Sequence, residues 1–293
     1  MRTGMRQGIA LHEFDRLRAH RRTVLAGCTG RSGGVSPPPY DALNLGLHVG
    51  DDVGAVLENR RLLARALGVE LSSFVLPQQV HGREVRVVTR ADRGRGAMAL
   101  SDAVADADAL ITREAGVVLA VLLADCVPVI LFDPLTPAVG VIHAGWGGTV
   151  NHVTRTAVEA MRSEFGSDPG TLVAGVGPSI GPASYEVGAD VAERVQAEFP
   201  GAGIVLPHGD GEDRPRGDSE DRPRRDSKDR SHGDGKYLCD LWGANVAELT
   251  HAGVPRESIE VAELDTFQLP AQFFSHRRQR PTGRFLALAM LRT

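Results

Sequence analysis

Aromatic residues make up only 5% of this 293-residue chain, which argues against a platform for stacking nucleic-acid bases. An excess of positive charge is also missing. Against 37 Asp and Glu stand 33 Lys and Arg, a formal net charge of -4, so no electrostatic case for nucleic-acid binding exists. Cysteine is confined to Cys28, Cys126 and Cys239. So few, and an odd number, reads as reduced and intracellular and not as a disulfide framework. The longest apolar run, 117–132, is interrupted by Asp125 and Pro128 and falls short of the ~20 residues a membrane helix needs. The opening MRTGMRQGIALHEF lacks the apolar stretch of a signal peptide. These absences predict a soluble, cytoplasmic protein, with no nucleic-acid or membrane partner, acting as a monomer or homodimer. What is present, 42% hydrophobic and 24% charged residues, is ordinary for a globular chain.

The periodicities predict α+β architecture: mixed β-sheets packed between helices in a single domain. Residues 21–50, rich in Gly, Pro and Ser, read as a loop. Asp51 or Asp52 caps a predicted helix over 53–67, stopped by Gly68. Strands are expected over 73–80, 84–89, 117–123, 127–132, 138–143, 171–176, 259–262 and 286–291. The runs at 117–143 are apolar without alternation, as in strands buried on both faces. Thr149 or Asn151 is expected to cap a helix reaching Phe165. Val187, Val191, Val195 and Phe199 mark another helix, and Asp240 caps one ending near Gly253. Residues 208–235 differ: three eight-residue units, beginning at Glu212, Glu220 and Lys228, carry almost no apolar residue. Such a segment cannot bury enough surface to offset its ordering entropy, so it reads as a disordered surface insertion.

Three residues that end predicted strands carry chemistry. His81 sits in QQVHG, Cys126 in ADCVP, and His143 in HAGW. Imidazole and thiolate together suit zinc or copper, and three protein ligands leave a position for water or substrate. Their spacing matches no compact metal signature. The same atoms could form a nucleophile and base, Cys126 with His143, with Asp125 orienting a nearby group. A cysteine hydrolase or deamidase, and a non-enzymatic metal-binding or redox-sensing protein, therefore stand beside a metalloenzyme. Asp106 and Asp108, in ADADAL, fall on one side of an extended stretch and also suit turn chemistry. Arg31, beside Gly30, Gly33 and Gly34, is a candidate anion contact.

The chain resembles the laccase-domain family, first described as multicopper polyphenol oxidases and later as multifunctional purine nucleoside phosphorylases. The resemblance rests on Gln78–Gly82, Ala105–Leu110, Ala124–Pro128, His143–Trp146, Gly177–Pro182 with Tyr185-Glu186-Val187, and Phe273–Arg278 with Thr282-Gly283-Arg284. It implies that His81, Cys126 and His143 bind a catalytic metal, Zn2+ in most accounts and Cu2+ in some. It also implies purine nucleosides and phosphate as substrates, with methylthioadenosine phosphorolysis and adenosine deamination. Copper-dependent phenol oxidation and action on peptidoglycan precursors are the competing activities. Substrate contacts are expected at Arg31, Asn44 and Arg278, and catalytic roles at Cys126, His143 and Asp125. Three positions depart from the family pattern. Gly147 stands where an arginine is usual, Asp265 where a cysteine precedes Thr266, and Ser184 near another usual cysteine.

Overall fold

In the run from Val117 to Ala144, alternate side chains enter two different cores. Leu119, Val121 and Leu123 point one way, and Val118, Ala120 and Leu122 the other, yet all are buried. The strand is therefore covered on both faces, as its unbroken hydrophobicity implies. The computed structural model describes residues 1–208 and 235–293. The predicted repeat insertion, apart from its two end residues, lies outside the described residues.

In chain order the elements are β1 (Arg2–Arg6), β2 (Ile9–Glu13), α1 (Asp15–Ala19), β3 (Val24–Thr29) and α2 (Val53–Leu67). Next come β4 (Phe74–Val75), β5 (Val85–Val87), β6 (Ala109–Thr112), β7 (Val118–Leu123), β8 (Val127–Asp133) and β9 (Ala138–Ala144). Helices α3 (Trp146–Val150) and α4 (Val153–Phe165) precede β10 (Val173–Val176), β11 (Glu186–Val187) and α5 (Ala189–Glu198). The chain continues through β12 (Val205–His208), β13 (Lys236–Cys239), α6 (Leu241–His251), β14 (Ile259–Val261) and β15 (Phe285–Leu291).

The described residues form two six-stranded mixed sheets, β1-β2-β3-β15-β7-β4 and β14-β10-β8-β9-β6-β5, and a small sheet β11-β13-β12. The large sheets face each other across a core that includes Val121, Leu123, Ile130, Phe132, Val141 and Ala287. Helix α2 covers the outer face of the first sheet through Leu63, Ala64 and Leu67. Helices α4 and α6 cover the second through Val153, Ala157, Met161, Ala244 and Leu249. The result is a helix–sheet–sheet–helix stack, the expected α+β arrangement. Helix ends follow local chemistry. The Asp52 carboxylate accepts from Ala55 N at 2.8 Å, Gly68 stops α2 at φ 72°, and Asp240 accepts from Gly243 N.

Several expectations are corrected. Residues 24–29, expected as loop, form β3, which pairs with β15 and with β2 inside the first sheet. The predicted strand 73–80 shrinks to Phe74–Val75, and 84–89 to Val85–Val87. Neither Thr149 nor Asn151 caps α4. The chain turns at His152, φ 62°, between the short α3 and α4. His208, the first residue of the expected insertion, belongs to β12, where it pairs with Lys236 of β13, the residue just after the insertion.

Candidate metal centre and its cavity

His81 does not end a strand, because β4 stops at Val75. It sits in a tight bend at φ 58°, a left-handed conformation costly for a side-chain-bearing residue. The Asp108 carboxylate holds the bend. Its oxygens accept from the backbone N–H groups of Val80 (3.2 Å), His81 (3.1 Å) and Gly82 (2.7 Å). The same carboxylate accepts from His143 Nδ1 at 2.7 Å, and the Asp108 carbonyl accepts from the His143 backbone N–H at 2.7 Å. Asp108 is fully buried. Burial pushes its carboxyl up, but His143 and the Gly82 and Val80 amides outweigh this and hold it below the usual carboxylate range.

Cys126 lies in the turn joining β7 to β8, and His143 one residue before the end of β9, opposite Pro128. The Cys126 Sγ is 3.9 Å from His81 Nε2, and the His81 and His143 rings meet edge to face at 4.8 Å. The ligand atoms of His81, Cys126 and His143 all lie within 4.8 Å of one another. Burial raises the Cys126 thiol, but the positive charge available at His143 and His81 brings it down to about 6. Burial lowers His143, but Cys126 and Asp108 take it up to about 9. Thiolate and imidazolium are thus favoured as a pair near neutrality, so a metal ion would find the sulfur ready to ligate and would displace a proton from His143.

The donor set fits a zinc-like ion. A tetrahedral site with Zn–N and Zn–S bonds of ~2.0 and ~2.3 Å separates its ligand atoms by about 3.3–3.6 Å, a modest contraction of this cluster. Asp108 holds Nδ1 of His143, which leaves Nε2 to face the other two donors. Gly145 makes the approach possible. A Cβ there would lie 2.9 Å from His81 Cδ2 and 3.1 Å from Cys126 Sγ. Gly145→Ala is therefore expected to weaken zinc binding at least ~10-fold by wedging the ligands apart, with the fold retained. Competition with a chromophoric chelator measures this, and unchanged affinity would refute the role given to Gly145.

The three donors open into a cavity of about 550 Å³. Pro77, Leu100, Ala103, Leu122 and Ala124 give it apolar walls, while Gln78, His48, His276 and Arg284 add polar groups. Gln79 fixes one wall by exchanging two hydrogen bonds with the Leu122 backbone, at 2.8 and 2.9 Å.

The other predicted residues have different surroundings. Asp125, at φ 86°, accepts from Thr266 Oγ1 (2.7 Å) and the Arg277 backbone N–H (2.6 Å). It ties the Cys126 turn to the carboxy-terminal loops, and Asp108, not Asp125, orients His143. Arg31 donates to the carbonyls of Asp41 and Pro270 and lies 4.6 Å over the Phe274 ring. Gly33 beside it, at φ 94°, lets the backbone approach the Gly8 carbonyl, where a Cβ would be only 2.4 Å away. Arg278 donates to the Phe267 carbonyl at 3.0 Å. Asn44 is buried and holds the backbone N–H groups of Gly46 and Arg284. None of Arg31, Asn44 and Arg278 lines the cavity. Sequence reasoning missed Asp108 as the organiser, although ADADAL had singled it out. It also assigned no role to His48, His276 or Arg284. Ser184 and Asp265, both expected from the resemblance to depart from the family pattern, meet each other: Ser184 Oγ donates to Asp265 Oδ2 at 2.6 Å.

Fold and site together define an α+β protein built on two large facing sheets, with a His–Cys–His cluster, suited to a metal ion, at the wall of a small-molecule cavity. The chain belongs to the family described as multi-copper polyphenol oxidoreductase laccase, whose profile matches residues 25–292. It is 39% identical over 265 residues to purine nucleoside phosphorylase YlmD of Geobacillus stearothermophilus, covering 90% of this chain and 89% of that one. It is 46% identical over 278 residues to purine nucleoside phosphorylase ORF3 of Streptomyces griseus, covering 93% and 98%. The crystal structure of YlmD from G. stearothermophilus superposes with a TM-score of 0.85 at 35% identity, over 99% of this chain and 98% of that one.

Proposed function

We propose that this protein is a metal-dependent purine nucleoside phosphorylase, working at His81, Cys126 and His143 in the cavity. The observation that carries the reading is the convergence of those three donors, organised by Asp108, on a cavity of nucleoside size. A cavity of about 550 Å³ is within the range of small-molecule sites. The names of the relatives supply the substrate class.

In the reaction a phosphate oxygen bonds to the ribose anomeric carbon. The bond from that carbon to the purine nitrogen breaks, and the purine leaves with the electron pair and takes up a proton. His81, Cys126 and His143 would hold a zinc or copper ion, which would supply Lewis acidity at the cavity wall. Asp108 keeps the His143 Nδ1 proton in place, and so keeps Nε2 free as a donor of its lone pair. The aliphatic walls exclude water from the sugar and seat the purine. Gln78 carries both an amide donor and a carbonyl acceptor, so it can meet either a 6-amino or a 6-oxo purine. That supports a range including adenosine, inosine, guanosine and methylthioadenosine, with adenosine deamination as a side activity.

A second reading has its own observation. Cys126, His143 and Asp108 form a thiol–imidazole–carboxylate series, with the His143–Asp108 contact at 2.7 Å, which suits a cysteine hydrolase. Incubating the purified protein with adenosine and phosphate, and separating the products, tests the main reading. Adenine with ribose 1-phosphate, lost on chelation and restored by zinc or copper, is the expected result. Full activity after complete metal removal would favour the hydrolase.

A further inference from the structure

Arg31 and Arg278 spend donors on backbone carbonyls outside the cavity. Phosphate is best received by a cationic side chain with forked donors. Among the described residues that line the cavity, Arg284 is the one Lys or Arg side chain.

We infer that Arg284, flanked by His48 and His276, is the anchor for the inorganic phosphate co-substrate. This rests on the phosphorylase reading and identifies the anion subsite within it. The position of Arg284 is built, not incidental. Its backbone N–H donates to Asn44 Oδ1 at 2.9 Å, and its carbonyl accepts from Leu45 N at 2.9 Å. Its Cβ and Cγ pack over Gly46, where an added Cβ would lie 2.8 Å from Arg284 Cγ. One guanidinium nitrogen, Nη1, donates to the Thr282 and Gly283 carbonyls at 3.1 and 3.0 Å. The other two nitrogens have no protein hydrogen bond among the described residues. A fixed guanidinium with two unused nitrogens, carrying three N–H groups, matches the forked recognition of phosphate.

The flanking rings suit the role. Burial, then the charges of Arg284 and Arg60, bring His48 down to about 4. Burial, then the charges of Arg280 and Arg284, lower His276. Both are neutral at pH 7, so they offer hydrogen bonds without adding charge. Asn44, expected from sequence as a substrate contact, acts one step back by holding the Arg284 backbone.

Two measurements test the inference, neither requiring turnover. In the metal-loaded wild-type protein, phenylglyoxal modification of Arg284, followed by peptide mass analysis, should slow at least ~10-fold in saturating phosphate. The control is sodium chloride at equal ionic strength. In Arg284→Gln, the phosphate dissociation constant measured by calorimetry should rise on the order of 30-fold, with metal content unchanged. Modification of Arg284 at the same rate in phosphate and chloride would overturn the assignment, even if Arg284→Gln fails to fold. Unaltered phosphate affinity in a folded Arg284→Gln would overturn it too. Phosphate held by Arg284 in a protein that cleaves no nucleoside would instead sink the phosphorylase reading and leave the anchor standing.

Discussion

Cys126→Ala is expected to lose its metal and to lower kcat/KM for phosphorolysis by at least ~10³-fold. The reason is the donor count. Three side chains converge here, and among the described residues no other group of His, Cys, Asp or Glu comes together in this way. Removing the thiolate leaves two imidazoles and takes away the one anionic ligand, which offsets the charge of a divalent ion. The fold should survive, because Cys126 is only half-buried in a turn and its loss opens no closed core. Metal analysis, steady-state kinetics and a thermal melt of one preparation check all three statements. Stoichiometric metal with near-normal rates would show that Cys126 is not a ligand. Comparison with chelated wild-type protein separates the two chemistries. If Cys126→Ala is inactive while the metal-free wild type is fully active, the thiol is a nucleophile.

The contrast between these ligands explains how much of the molecule was legible in the sequence. Cys126 and His143 were readable because they flank long apolar strands, and burial on both faces writes an unmistakable run. Helix α2 was readable to the residue because Asp52 and Gly68 mark its ends with side-chain and backbone chemistry. Strands β1, β2 and β3 were not. Arg2–Arg6 is a largely exposed edge strand without apolar alternation, and Val24–Thr29 contains Gly27, whose missing Cβ makes room for the His12 carbonyl. The glycine that looked like a loop signal is required for strand packing.

The site divides in the same way. Residue type revealed the three donors, but no local pattern reveals which residue aims them. Asp108 is 27 positions from His81 and 35 from His143, so its role depends on β6 pairing with β9. Arg31 and Arg278 illustrate the converse. Each looked like an anion contact beside glycines or in a basic motif, and each is held by a backbone carbonyl, Pro270 for Arg31 and Phe267 for Arg278. The Ser184–Asp265 hydrogen bond is a third case, where two isolated departures from a family pattern become one interaction only in three dimensions.

Asp108→Asn should be more disruptive than its near-identical shape suggests. The carboxylate takes four donors: His143 Nδ1 and His81 N on Oδ1, and Val80 N and Gly82 N on Oδ2. An amide offers one accepting oxygen and one NH2. If the NH2 takes the Oδ2 place, it faces two backbone donors and the bend carrying His81 opens. If it takes the Oδ1 place, it faces His81 N–H and Nδ1 of His143. The imidazole proton then moves to Nε2, and that nitrogen can no longer ligate. Either orientation disables one of the three ligands without touching it. Zinc affinity is expected to fall 10–100-fold, the usual scale for a residue that orients a metal-bound histidine. Stability of the metal-free protein should fall by about 2 kcal/mol, from two part-buried donors left unpaired. Chelator competition and urea unfolding of the apo-protein read the two effects independently. Loss of stability with wild-type zinc affinity would mean that Asp108 only holds the loop together, and the orienting role would fall.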